Sequence, residues 1–197
     1  YYADVYGYFQ RAFGRDSIDN AGMALIASVD LYASGVCPNA FWTGEQMIFC
    51  AGLVVDDVVA HELSHGVTEY SANLVYQNQP GQLNESFSDV FGELVDLFNG
   101  NAAFPGVPGG SPTWPVEPDR VSGSGTDAPN GLRTVCSDYP GYPDGVRWIC
   151  GEDASSAFGQ VLRDMWDPHC AGDPDRANDN EIDSWCYDWD EGGVHFG

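Results

Sequence analysis

Lysine is missing from this 197-residue chain, and its seven basic residues are all arginines. Thirty acidic residues oppose them, so the formal net charge is −23 at pH 7. Because phosphate groups bind to positive protein surfaces, this charge excludes nucleic-acid and anionic-membrane partners. The charge fits either simple solubility or a saline habitat, where salt screens the repulsion between carboxylates.

Long apolar runs are also missing. No stretch approaches the roughly 20 apolar residues that a membrane-spanning helix needs, so we expect a soluble, monomeric chain. The chain opens on Tyr1 and Tyr2 rather than on basic residues and an apolar segment, so no signal peptide is visible. The length is sufficient for one domain with a substantial core.

Paired CxxC cysteines are absent, so a metal held by cysteines is not expected. The metal signal comes instead from His61 and His65, which flank Glu62 in the segment HELSH. On a helix, two imidazoles at this spacing share one face and can hold the same ion. Glu85, twenty residues after His65, offers a third ligand and leaves a fourth position for water. The alternative is a helix with two partly exposed histidines, because HExxH also arises by chance.

Further motifs stand in a fixed order around this segment: residues 39–42 (NAFW), 76–78 (YQN), 84–89 (NESFSD), 162–165 (LRDM), 172–175 (GDPD) and 190–195 (DEGGVH). Together with HELSH they resemble the thermolysin family of secreted zinc endopeptidases. The resemblance runs from the first residues to the last, apart from an insertion over residues 99–147. Agreement between separate motifs is far more specific than one pentapeptide.

The resemblance implies an α+β fold, a zincin-like catalytic domain with a mixed sheet. One helix would carry the HExxH segment and a second would carry Glu85. Relatives continue well past the residue that matches His195, so we expect the C-terminal helical subdomain to be largely absent. Periodicity predicts helices over residues 3–15, 56–70 and 84–98, and strands over 23–31 and 47–49. Residues 39–42 would form an edge strand that lines the cleft.

Three segments are expected within this single catalytic core. Residues 1–98 would contain the sheet edge, the zinc helix and the glutamate helix. Residues 99–147 are rich in proline and glycine and have little periodicity, which indicates a long surface loop. The family usually connects its second helix to residues 148–151 much more tersely, so the resemblance implies that this loop is an insertion. Residues 148–197 would form a disulfide-rich segment that ends in the catalytic histidine.

By resemblance, zinc is bound by His61, His65 and Glu85, and Glu62 takes a proton from the attacking water. The other residues of the site would bind the oxyanion or orient a partner: Tyr76 and His195 as oxyanion donors, Asp190 orienting His195, Asp89 accepting a hydrogen bond from His61, and Asn84 doing the same for His65.

Substrate binding by resemblance falls to Asn39 and Ala40 on the edge strand and to Arg163, which would contact the peptide backbone. Val58 and Leu162 match positions that line the pocket for the residue after the scissile bond. We therefore expect a preference for a large apolar side chain there.

Calcium is the second metal that the resemblance implies, with Asp57, Glu93 and Asp96 as ligands. The chain departs from the family at Arg147, where a carboxylate is expected. The Arg147 guanidinium could replace the ion, or Asp144 or Glu152 could complete its ligands.

Six cysteines permit fifteen pairings, and an even number in a chain that resembles secreted enzymes favours disulfides. We choose the sequence-local pairs because each brackets a plausible loop: Cys37 with Cys50, Cys136 with Cys150, and Cys170 with Cys186. Buried free thiols are the alternative.

The sequence thus predicts a secreted zinc endopeptidase that acts on proteins or peptides. One alternative is a weak or inert peptide-binding relative, which would have no need for Glu62, Tyr76 and His195. The other is a zinc aminopeptidase, although no glycine-rich motif for recognising a free amine is present.

Overall fold

The computed structural model describes residues 1–100, 149–151 and 163–165. In these ranges the helices are α1 (Tyr2–Phe13), α2 (Asp56–Glu69) and α3 (Asn78–Gly100), and the strands are β1 (Ala27–Leu31), β2 (Ala40–Trp42), β3 (Met47–Cys50), β4 (Ile149–Cys150) and β5 (Arg163–Asp164). α3 extends over the first two residues of the predicted insertion, 99 and 100. The rest of the insertion, and Leu162, Asp190 and His195, lie outside the described residues.

The first three strands form one sheet in the order β1-β3-β2. β1 runs parallel to β3, whereas β2 pairs with β3 in the antiparallel sense after a tight turn. This arrangement confirms the α+β class and the mixed sheet. Within the described residues β2 is an edge strand, so one side of its backbone faces the cleft.

α1 ends two residues before the predicted boundary because Gly14 adopts a left-handed conformation (φ 67°). The Gly14 and Arg15 N–H groups donate back to the carbonyls of Gln10 and Phe9, which closes the helix end. Glycine pays no steric penalty at positive φ, so it stops the helix there.

β1 begins at Ala27, four residues later than predicted. The Met23 N–H donates to Asp19 (3.0 Å) and the Met23 carbonyl accepts from the Ser17 hydroxyl (2.6 Å). These local bonds hold residue 23 in a loop, because side chains that bond nearby backbone groups compete with strand pairing.

α2 lies at the centre of the fold, with twelve of its fourteen residues buried. It packs against β2, and its Val59 and Leu63 belong to the same buried core as Phe49 of β3. A helix enclosed on nearly every side has little freedom to rotate, so the directions of its polar side chains are fixed. None of the helices in the described ranges has the length and apolar character needed to cross a membrane.

α3 starts at Asn78, six residues before the predicted start. The sequence argued against this extra turn, because Pro80 and Gly81 are poor helix formers. Proline is nonetheless tolerated in a first turn, where its missing N–H has no helical partner to lose. The earlier start places residues 84–89 inside the helix, so that their side chains project with helical regularity toward α2.

α3 approaches the backbone of α2 closely at Gly92. A Cβ atom added there would lie 2.9 Å from the Asp57 carbonyl oxygen, closer than real side chains come to a backbone. The absent side chain therefore sets the spacing between the two helices.

The cysteines follow the prediction in part. Cys37 and Cys50 form a disulfide that ties the segment before β2 to the end of β3. Cys150 carries a buried free thiol, so the predicted bond from Cys150 to Cys136 is not formed. Its sulfur instead packs against the Asp89 carboxylate (3.6 Å). Cys136, Cys170 and Cys186 lie outside the described residues.

We predict that Gly92→Ala destabilises the fold although alanine is the better helix former. The steric clash should cost about 1–3 kcal/mol, more than the roughly 1 kcal/mol gained in helix propensity. The melting temperature should then fall by several degrees, since each kcal/mol shifts it by about 2–4 °C at this chain length. Ser86→Ala, at an exposed position of the same helix, is the control and should leave it nearly unchanged. Equal melting curves for the two variants would contradict the close approach.

Candidate metal centre

His61 and His65 project from α2 into a cleft, where Glu85 of α3 meets them. The two histidine Nε2 atoms lie 2.9 Å apart. The Glu85 carboxylate oxygens lie 3.3 Å from the His61 Nε2 and 3.4 Å from the His65 Nε2. Among the described residues this is the one group of three or more ligand-type side chains whose donor atoms lie within 4.8 Å of one another.

Two nitrogens and a carboxylate suit zinc. Zinc–ligand distances of about 2.0–2.2 Å in a tetrahedron imply donor atoms roughly 3.3–3.5 Å apart. The two separations between a histidine nitrogen and Glu85 match this spacing. The two histidine Nε2 atoms are closer together and would move apart slightly to hold the ion. The residues present therefore fit the ion, with one coordination position left over.

The other ring nitrogen of each histidine is held by α3. The His61 Nδ1 lies 2.8 Å from an Asp89 oxygen. The His65 Nδ1 lies 2.7 Å from the Asn84 side-chain oxygen and 3.1 Å from the Ser88 hydroxyl. Acceptors at Nδ1 fix the tautomer that keeps Nε2 available, which is how metal-binding histidines are usually oriented.

Arg163 of β5 binds Asp89, the carboxylate that holds His61. Its guanidinium donates two hydrogen bonds to Asp89, at 2.6 and 2.5 Å. A bidentate pair of this kind is strong and directional. The sequence assigned Arg163 to the substrate backbone. In the structure its hydrogen bonds go to Asp89, although the side chain also lines the cleft.

The pKa values of the two buried histidines shift in opposite directions. Burial opposes the charged form of His61, but its hydrogen bonds with Asp89 and Glu85 outweigh burial and raise its pKa to about 10. Burial and the nearby His61 charge lower the pKa of His65 to about 4.

Glu62 is buried beside the metal ligands. Burial is the main reason that its pKa rises to about 7, and the Glu85 charge adds to the effect. The Trp42 backbone N–H donates to the Glu62 carboxylate and opposes the rise. A carboxyl group that titrates near neutrality can both accept and return a proton.

Tyr76 reaches the site from the loop before α3. Its hydroxyl donates to Glu85, and its ring meets that of His65 edge-on at 5.7 Å. Burial and the Glu85 bond both raise its pKa above the usual range, so the phenol stays protonated. Tyr76 is thus a donor beside the ligands, and half of its surface (51%) remains exposed.

The cleft has a volume of about 860 Å³, and His61, His65 and Glu85 are part of its lining. Asn39, Ala40 and Val58 line it, in line with their predicted positions. The sequence analysis assigned no role to other residues of the lining: Trp42, Leu53, Glu69 and Asn73. Helical spacing could have revealed Glu69, because it lies four residues after His65 on the same face of α2.

The residues expected to hold calcium are deeply buried: Asp57 is 2% exposed, and Glu93 and Asp96 are 1% exposed. The Asp57 carboxylate accepts from the N–H groups of Val58 and Gly151. Within the described ranges, these three carboxylates do not approach one another as closely as the zinc group does. Their role as ligands stays a prediction.

Two models of one family match successive parts of the chain. The catalytic domain of thermolysin metallopeptidase matches residues 1–69, and its alpha-helical domain matches residues 72–112. Together they cover more than half of the chain. The junction falls between α2 and α3, the two helices that carry the histidines and Glu85.

Several characterised proteins are similar to this chain. Bacillolysin of Bacillus cereus is 34% identical over 99% of this chain and 28% of its own length. Extracellular elastase of Staphylococcus epidermidis is 42% identical over 61% of this chain and 27% of its own length. The solved precursor of protealysin, a metalloproteinase from Serratia proteamaculans, is 46% identical over 49% of this chain and 32% of that one, with a TM-score of 0.45.

This chain thus spans less than a third of these two curated relatives. The family models, the alignment over nearly its whole length and the grouping of His61, His65 and Glu85 agree with one another. The chain belongs to the thermolysin family of metallopeptidases.

Proposed function

We propose that this protein is a zinc-dependent endopeptidase that hydrolyses internal peptide bonds. The observation that carries the proposal is the meeting of His61, His65 and Glu85 in an open cleft, with a buried Glu62 beside them. Zinc, when bound by these three residues, supplies a Lewis acid that polarises water and the substrate carbonyl.

Glu62 acts as the general base. It accepts a proton from the attacking water and later delivers it to the leaving amine nitrogen. The Trp42 N–H bond holds the carboxylate in place between these two steps. Zinc would lower the Glu62 pKa below its metal-free value of about 7, toward the ionised form that is needed first.

Tyr76, His195 and Asp190 complete the proposed catalytic set. Tyr76 and His195 would donate to the oxygen on which negative charge develops, and Asp190 would orient His195. The Tyr76 hydroxyl donates to Glu85 at the edge of the cleft, so the phenol is a donor beside the residues that would hold zinc. Donors aimed at developing charge lower the barrier directly.

The edge of β2 is suited to hold an extended peptide. Asn39 and Thr43 exchange hydrogen bonds with β3, so alternation turns the backbone groups of Ala40 and Trp42 away from the sheet. The Asn39 side chain accepts from the Ala40 N–H (2.9 Å), and a substrate would compete for this donor. We assign Asn39, Ala40 and the remaining donors of Arg163 to backbone binding.

Val58 and Leu53 line the cleft with apolar surface. Val58 lies on α2 one turn before His61. With Leu162 they would form the pocket for the residue after the scissile bond. An apolar pocket gains about 25 cal/mol for each Å² of apolar surface that it buries, which favours large aliphatic and aromatic side chains.

We further propose that the protein is secreted. The Staphylococcus relative is named as an extracellular elastase, and the Cys37–Cys50 disulfide fits an oxidising compartment. Protein and peptide substrates are then the expected partners.

The alternatives are less well supported. A binding module would gain nothing from burying the Glu62 carboxyl beside three ligands, since burial of an ionisable group is costly. An aminopeptidase needs the cleft to close just before the scissile bond so that the free amine is held. Here the cleft continues past His65 to Glu69 and Asn73, which favours cleavage within a chain.

The first prediction of this proposal concerns zinc and pH. Because His61 is protonated below its raised pKa of about 10, zinc must displace that proton. The affinity of the chelator-treated protein for zinc should therefore rise about tenfold for each pH unit between about pH 6.5 and 8.5. Calorimetry with competing buffers should show one zinc bound and proton release across this range. An affinity that levels off above about pH 7.5 would contradict the raised pKa.

The second prediction concerns the base. Glu62→Gln should bind zinc normally but lose about 10²–10⁴-fold in the rate of casein hydrolysis, because an amide does not accept the proton. Glu45→Gln, which changes an exposed glutamate in the β2–β3 turn, is the matched control and should keep full activity. A Glu62→Gln protein that retains most of the activity would show that another base acts.

The third prediction concerns calcium, for which we propose Asp57, Glu93 and Asp96 as ligands. Calcium added to chelator-treated, zinc-restored protein should raise the melting temperature, by about 5–10 °C at a hundredfold excess over the dissociation constant. Glu93→Gln should reduce this shift, whereas Glu45→Gln should not. An unchanged melting curve would favour the Arg147 guanidinium as the compensating cation.

A further inference from the structure

Beyond His65, the cleft contains a carboxylate that neither the metal nor the proposed chemistry uses. Glu69 lies at the end of α2, and its side-chain oxygen accepts a 2.7 Å hydrogen bond from the Trp42 indole N–H. Both residues line the cleft, next to Gly44 and Asn73. The indole also packs against α2 at Gly66, where an added Cβ would lie 3.3 Å from the ring. Trp42 is therefore held in one orientation with a carboxylate at its edge.

Charge balance distinguishes Glu69 from the other charged residues of the cleft. Glu62 and Glu85 lie within the metal site, and Arg163 is paired with Asp89. The hydrogen-bond partner of Glu69 is a neutral indole, and within the described ranges no basic side chain forms an ion pair with it. Glu69 thus adds uncompensated negative charge at this end of the cleft.

We propose that Glu69 and Trp42 form a subsite for a cationic side chain, so that the protein favours substrates with lysine or arginine before the scissile bond. A carboxylate attracts an ammonium or guanidinium group, and an indole face attracts the same cation through its π electrons. The indole N–H that donates to Glu69 leaves the ring more electron-rich. This inference rests on the proposed peptidase function.

Geometry indicates which substrate residue reaches this subsite. α2 runs past the metal ligands from Val58 to Glu69, so the apolar pocket and the carboxylate lie on opposite sides of the metal. Glu69 follows His65 by four residues, or about 6 Å along the helix axis. An extended peptide advances about 3.3 Å per residue. The cation should therefore stand two or three residues before the scissile bond, since the residue after that bond occupies the Val58 side.

The test compares peptides that share a phenylalanine after the scissile bond and differ at the second and third positions before it. These positions carry lysine, glutamine or glutamate. The zinc-loaded protein should show a kcat/KM about fivefold to tenfold higher for lysine than for glutamine, as expected for a partly exposed ion pair with a cation–π contact. Glutamate should be the poorest substrate, and the lysine preference should weaken at high salt.

Glu69→Gln separates charge from structure, because its amide oxygen can still accept from the Trp42 indole. This variant should keep its melting temperature, while the preference for lysine over glutamine falls to near one. Glu45→Gln removes the same charge outside the cleft and should leave the preference intact. The affinities of the same peptides for the nearly inactive Glu62→Gln protein test the subsite by binding alone.

The outcomes distinguish this inference from the proposed function. If the wild-type protein cleaves the glutamine peptide but shows the same lysine preference as Glu69→Gln, the subsite is wrong and the peptidase function stands. A second outcome is that no peptide is cleaved, but the Glu62→Gln protein binds lysine peptides more tightly than glutamine peptides. If this difference disappears when Glu69 is also changed to glutamine, the subsite stands and the function fails. Equal affinities for all peptides in that background overturn the subsite.

Discussion

The close packing of α2 against α3 is the constraint on which the rest of the site depends. Gly92 permits the approach, because any side chain there would collide with the Asp57 carbonyl. Once the helices are this close, the first turns of α3 bring Asn84, Glu85 and Asp89 onto the two histidines. A metal ion needs its ligands positioned to within a few tenths of an ångström, and only rigid elements provide this.

Burying an ionisable group is costly unless a partner of opposite charge or a hydrogen bond stabilises it. In this site the buried groups are paired in succession. Arg163 is paired with Asp89, and Asp89 in turn holds His61. Arg163 and Cys150 come from β5 and β4, far along the chain from the helices. The second half of the chain therefore contributes to the electrostatics of a site whose described zinc ligands all lie in the first half.

The sequence was sufficient for the fold class and for the local elements. The spacing of His61, Glu62 and His65 defines a helix face, and edge strand β2 lies within the predicted residues 39–42. Boundaries were predicted less well where the backbone is controlled by contacts that no local pattern reveals. β1 is shortened by the bonds of Ser17 and Asp19 to Met23, and α3 gains a turn at Pro80, which propensity argues against.

The side-chain roles that sequence reasoning missed are those that depend on tertiary proximity. The pairing of Arg163 with Asp89 is one of them, because Asp89 lies within reach and a buried carboxylate binds guanidinium more strongly than water does. The free thiol of Cys150 has the same origin, because β4 places it against Asp89 and beside Arg163. Helical spacing places Glu69 on the His65 face of α2, but its hydrogen bond with Trp42, 27 residues away along the chain, could not be read from the sequence.

The excess of carboxylates acts on function as well as on solubility. A chain with a net charge of −23 produces a negative potential that draws cations toward its surface from a distance. This potential favours zinc, calcium and cationic peptide segments alike, and salt weakens it. Close selectivity cannot come from such a diffuse field, because it attracts every cation to a similar degree. Selectivity requires groups that are fixed in position. For the metal these are the buried nitrogen and oxygen donors, and for a substrate side chain a single carboxylate held in place, such as Glu69, can serve.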